Sequence, residues 1–181
     1  DWMLASANVG SLTKLVPDPD KELFTDPLFN LRFTLKTTFV AYDLLRQTKF
    51  LKPEENQKIL DWLAPIVKNS DRRSCESKGE CKPDSKPGEH WTLHDYTTLM
   101  LWGAVSGDNY YFQRGTKMYV KSLKSLSSKG ASKEVKQNAH HGLQKQNEDV
   151  GYFVMLAEIA ANQGYDLYSV EQKKKSLFTA F

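Results

Sequence analysis

The run HWTLHDYTTLMLWGAVSGDNYYF, residues 90–112, gathers several of the chain's chemically capable side chains. His90 and His94 are four apart, one helical turn, so on a helix they share a face. Imidazoles can relay protons near neutral pH or ligate metal. With Glu89 and the pair His140–His141 they could complete a metal site; the plainer reading is capping or surface histidines. Trp91, Tyr96, Tyr110 and Tyr111 offer faces for stacking on sugar rings, whereas Trp102, Phe112 and Tyr119 read as core. Cys75 and Cys81 lie in SCESKGECK, six positions apart. A disulfide closing that loop would place the protein in an oxidising compartment, periplasmic or secreted; two free cytosolic thiols are the alternative. No third ligand stands at zinc spacing beside them.

The elements that must position these groups are helical almost throughout. DWMLASANVGSLTKL fits a helix of about four turns. LFNLRFTLKTTFVAYDLLRQ sets Leu28, Leu31, Leu35, Phe39, Tyr42 and Leu45 at three- and four-residue steps, a strong amphipathic helix. KPEENQKILDWLAPIVKNS opens with Pro53 and two glutamates, as a helix start should, and turns Ile59, Trp62, Leu63, Ile66 and Val67 inward; Pro65 predicts a kink. Residues 70–89 read as a long polar loop, unusual in a compact domain unless functional. Helices follow over about Thr92–Val105 and Asp108–Leu126, the second capped by Asp108, with Phe112, Tyr119, Leu123 and Leu126 inward. EDVGYFVMLAEIAANQG predicts a helix with Val150, Phe153, Val154, Ala157 and Ala161 on one face and Gly164 as its stop. VEQKKKSLFTAF reads as a last helix. No strand pattern is present. The expectation is one all-α domain over 1–181, about seven helices in antiparallel pairs.

The chain has 181 residues and a net charge of +3, which permits an anionic partner without naming one. No apolar run reaches the roughly 18–20 residues of a membrane span. The basic residues are scattered and no nucleic-acid motif is present, so a nucleic-acid partner is not expected.

Three segments, in order, resemble the alginate lyase family of helical polysaccharide lyases. They are AYDLLRQTKFLKPEENQKILDWLAPIVKN, TLHDYTTLMLWGAVSGDNYYFQRGTKMYVKSL and MLAEIAANQGYDLYS. The last is the most specific, being similar to a helix end of the family. The resemblance covers roughly residues 30–175 and implies an incomplete (α/α) toroid, of which this chain is a part, the family's N-terminal helices lying outside it. It implies β-elimination on an anionic uronate polymer such as alginate, with no metal or cofactor required. Such chemistry needs donors that neutralise the uronate carboxylate, a base for the C5 proton and an acid for the glycosidic oxygen. His94 falls on the family's motif histidine, with Thr92 and Leu93 where the family has two asparagines. Lys145 falls on a Tyr or His position, and a one-step shift would bring His140 or His141 there instead. The catalytic expectation is therefore His94, Lys145, His141 and His140. His90, Trp91, Tyr96 and Asn147 are expected to hold the sugar. Two other classes fit the same chain: a carbohydrate-binding protein with a degenerate lyase site, and a helical scaffold that binds protein.

Overall fold

The computed structural model describes residues 2–13, 27–48, 50–76, 90–132, 135 and 139–180, with the side chains of 27–29, 72–76, 90–92 and 139 left out. Among the described residues the chain is all-α. The helices are α1 (Trp2–Val9), α2 (Pro27–Gln47), α3 (Pro53–Glu76), α4 (His90–Ser106), α5 (Asn109–Ser125) and α6 (Gly142–Ala161), with short 3₁₀ turns at Ala139–His141 and Leu177–Thr179. Two compact units divide the chain, Asp1–Pro83 and Asp84–Phe181.

In the first unit α1 is half the expected length. The backbone turns left-handed at Gly10 (φ 65°) and Leu12 (φ 62°), which ends a right-handed helix. Trp62 Nε1 donates to Ser11 O at 2.7 Å and ties that exit to α3. α2 buries Leu31, Leu35, Phe39 and Tyr42, as its period predicts, and α3 buries Ile59, Trp62, Leu63, Ile66 and Val67. Arg32 near the start of α2 donates to the Ser70 hydroxyl and carbonyl, both at 3.3 Å, late in α3. Tyr42 OH, late in α2, donates to Asn56 Oδ1 at 2.6 Å, early in α3. The crossed order of these pairs makes α2 and α3 antiparallel. Pro65 lies inside α3, which continues through Glu76 into the segment read as loop.

The second unit is built on α4, α5 and α6. Asp108 caps α5, its Oδ1 accepting from Tyr110 N at 3.0 Å, as expected. α4 and α5 approach backbone to backbone: a Cβ on Gly103 would lie 2.3 Å from Phe112 N, and one on Gly115 2.3 Å from Met100 Cβ. α4 starts at His90, so His90 is its first residue and not part of the preceding loop. α6 buries Asp149, Phe153, Leu156, Ala157 and Ala160, while Val150 and Val154 are half-buried and Ala161 is exposed. Its inward face is thus rotated from the one predicted, because a polar residue, Asp149, shares the buried side. The chain leaves α6 through Gly164 at φ 82°, the expected stop.

The predicted last helix is absent. Gln172 and Lys175 pair across a two-residue reversal, and a 3₁₀ turn follows at Leu177–Thr179. Tertiary contacts override the helical period here. Leu177 and Ala180 are buried, and Gln146 Nε2 donates to Ala180 O at 2.6 Å and Gly130 O at 3.2 Å. None of the described helices is long and apolar enough to cross a membrane.

Candidate active site

α4 and α6 bring together a histidine, a tyrosine and three carboxylates. His94 is fully buried, its Nδ1 3.5 Å from Asp95 Oδ1. The edge of one ring meets the face of the other where His94 packs on Tyr152 of α6, with centroids 5.4 Å apart and planes at 80°. On α6, Lys145, Glu148, Asp149 and Tyr152 follow at three- and four-residue steps and therefore share a stripe. Lys145 Nζ donates to Glu148 Oε2 at 3.2 Å. Burial pushes the Tyr152 hydroxyl up to about 12, with Glu148, Asp149 and Asp95 adding to the shift. A phenol in such a field is a proton donor at neutral pH, not a base.

The expected site residues fall in different places. His94 reaches the α4–α6 contact, but at 0% exposure it meets protein and not solvent. Lys145 lies on the Tyr152 stripe and serves Glu148. His140 and His141 are exposed in the 3₁₀ turn before α6. Asn147 is exposed and, two residues from both Lys145 and Asp149, lies on the opposite side of α6 from Tyr152. Tyr96 is buried toward α5, with the Arg114 guanidinium 5.4 Å over its ring, so the structure does not offer it to a sugar. The side chains of His90 and Trp91, and the Cys75–Cys81 pair, lie outside the described residues.

Sequence reading missed Tyr152 and its carboxylate neighbours. The signal was present as the i, i+3, i+4, i+7 spacing of Lys145, Glu148, Asp149 and Tyr152. It was masked by the aliphatic residues interleaved with it, which suggested a different inward face.

The comparisons with known proteins agree with this architecture. The fold superposes on solved structures of alginate lyase A1-III. A histidine-to-alanine variant complexed with tetrasaccharide matches with a TM-score of 0.80 and 17% identity, covering 99% of this chain and 49% of that one. A tyrosine-to-phenylalanine variant complexed with tetrasaccharide gives 0.80 and 16%, covering 99% and 48%. The enzyme from Sphingomonas species A1 gives 0.79 and 17%, covering 98% and 47%. The chain thus spans about half the length of the structures it matches. No curated protein matches the sequence. The expected all-α fold, part of an (α/α) toroid, is borne out by this likeness. The family model described as alginate lyase matches residues 27–181, which is most of the chain and includes all of α2 to α6, and the chain accordingly belongs to the alginate lyase family.

Proposed function

We propose that this chain belongs to a polysaccharide lyase that cleaves an anionic uronate polymer such as alginate by β-elimination, in a single helical domain of which these residues form a part. The observation that carries the reading is the His94–Tyr152 contact across α4 and α6, in a chain of this family. Tyr152 is half-buried, so part of its ring is open, and its phenol stays protonated at neutral pH. It is placed to give a proton to the leaving glycosidic oxygen. His94, fully buried behind it, is a positioning residue that fixes the ring. The base is then another histidine. His90 stands one turn before His94 on the same stripe of α4 and takes that role, with His140 or His141 as the alternatives at the start of α6. Trp91 supplies a stacking face for the sugar. Lys145 offsets the negative charge of Glu148. The protein is exported, with Cys75 and Cys81 joined, and the remaining helices of the domain complete the groove.

A second reading has its own support. Leu93, fully buried, stands where the resemblance places an amide, and Asp95, Glu148 and Asp149 surround Tyr152. Carboxylates there repel a uronate carboxylate, and a leucine side chain has no amide with which to neutralise it. That arrangement suits a sugar-binding protein that has lost its elimination chemistry.

The deciding experiment incubates the chain with polymannuronate, polyguluronate and glucuronan and follows the ultraviolet absorbance of the unsaturated uronate product. Absorbance that rises in the native chain and stays flat in His90→Ala and Tyr152→Phe supports the lyase. With the remaining helices of the domain present, a folded protein that binds the polymers and releases no unsaturated product supports the sugar-binding reading and refutes the first.

A further inference from the structure

Lys173 and Lys174 carry a conformation that lysine disfavours. Their φ angles are 54° and 60°. Gln172 N donates to Lys175 O at 2.7 Å and Lys175 N to Gln172 O at 3.1 Å. A two-residue reversal closed by both hydrogen bonds with φ positive at both central positions is a type I′ turn, whose preferred residues are Asn and Gly. Two lysines there are strained, and something must offset the strain. Part of the answer lies next to them. Lys175 Nζ donates to the carbonyl oxygens of Lys124, at 3.1 Å, and Leu126, capping the end of α5. That explains Lys175. It does not explain Lys173 and Lys174, which cap nothing and are exposed.

The same hydrogen bonds bring the turn to a lysine stripe. Lys117, Lys121 and Lys124 follow at four- and three-residue steps on α5, with Lys129 just beyond its end. Residues 117–132 and 170–176 together hold seven lysines and one carboxylate, Glu171, a local excess of six positive charges in a chain whose net charge is +3. In the sequence these lysines are about 50 residues apart, and Lys175 joins them. None belongs to the stripe of α6 that carries Tyr152.

We infer that the α5 C-terminal end and the Lys173–Lys174 turn form a surface site for an acidic polysaccharide, separate from the His94–Tyr152 pair. The choice of a uronate chain as occupant rests on the proposed function. Successive turns of α5 place lysines roughly 5 Å apart along the axis, comparable to one sugar ring, and a uronate polymer carries one carboxylate per ring. The turn then holds two further ammonium groups clear of the surface, beyond the end of the stripe. Such a site holds polymer by charge and has no need to orient a single sugar.

The test uses affinity electrophoresis of the 181-residue chain in gels containing polymannuronate, neutral dextran or single-stranded RNA. The key variant is Lys173→Asn with Lys174→Gly. It removes two charges and supplies the residues the turn prefers, so weaker binding cannot be ascribed to misfolding. The expected result is retardation by polymannuronate but not by dextran, between about threefold and about tenfold weaker in the double variant, and lost at high ionic strength. Unchanged retardation in the double variant overturns the site. Equal retardation by RNA with the same sensitivity overturns the polysaccharide assignment in favour of a general polyanion face. Binding is read without turnover. Retardation indifferent to the substitution therefore refutes the patch alone, and a whole domain that binds through this patch without turnover refutes the lyase alone.

Discussion

Tyr152→Phe removes one oxygen from the proposed site and leaves the ring that packs on His94. The structure fixes what that oxygen can do. With the hydroxyl pushed up to about 12, the phenolate fraction at pH 7 is on the order of 10⁻⁵, so a base role would forfeit about five powers of ten in active form. As a general acid the same group is fully competent, and losing it costs about 10²–10⁴ in rate. The variant is expected to lower kcat by that factor across pH 6–9, with KM and the melting transition little changed, since the hydroxyl belongs to a half-buried side chain. Product absorbance on polymannuronate, measured at each pH, is the assay. Two results would refute the reasoning. One is a variant within about threefold of the native rate. The other is a native rate climbing tenfold per pH unit from 7 to 10, the signature of a phenolate base.

The remaining predictions follow from burial, packing and ionisation. His94→Ala empties a fully buried position and should lower stability by about 2–4 kcal/mol, whereas His90→Ala, at the first residue of α4, should abolish turnover with a melting shift too small to matter; chemical denaturation separates the two. Lys173→Asn with Lys174→Gly should raise the melting temperature of the second unit, the relief of two left-handed lysines exceeding the entropy of the added glycine by about 1 kcal/mol; a lower melting temperature would show that the turn is not strained. Gly115→Ala drives a Cβ to 2.3 Å from Met100 Cβ and should destabilise the α4–α5 pair by about 1–3 kcal/mol. Tyr119 and Tyr152 are both pushed up to about 12, mainly by burial. Their folded-state values lie above the unfolded value near 10, so their contribution is complete below pH 10 and is lost as pH rises toward 12. Spectrophotometric titration should show Tyr119 and Tyr152 ionising late, with Tyr42 and Tyr168 also displaced upward, and thermal stability should begin to fall above pH 10.

Much of the helical framework was legible because its signals are local. The apolar steps of α2 and α3, the Asp108 cap and the Gly164 stop each depend on a few neighbouring residues. The final segment failed for the opposite reason. VEQKKKSLFTAF has a usable helical period, but Gln146 and the end of α5 claim its backbone and Lys175, and such partners cannot be read along the chain. The site divides the same way. His94 was found through the resemblance, as the family's motif histidine, but its complete burial depends on α6 packing over it. Tyr152 went unread because the aliphatic residues interleaved with its stripe suggested a different inward face, and the histidine that faces it lies on another helix.

The charges of the second unit set the polymer a physical problem that bears on which function survives. Asp95, Glu148 and Asp149 make the neighbourhood of Tyr152 negative, while the end of α5 is strongly positive. A uronate chain is drawn to the second and resisted by the first. Glu148 is the carboxylate that can be changed with least structural cost, since it is half-exposed while Asp149 is buried. Glu148→Gln releases Lys145 from its ion pair and removes one repulsive charge, so Tyr152 should ionise at lower pH and KM for a uronate polymer should tighten. In a working lyase that change shows whether the Glu148 charge limits substrate entry. If KM is unchanged while Tyr152 ionises at lower pH, the polymer approaches Tyr152 from a side the carboxylates do not face. If neither moves, the negative field around Tyr152 does not come from Glu148, and the electrostatic argument for a degenerate site loses its principal exposed contributor.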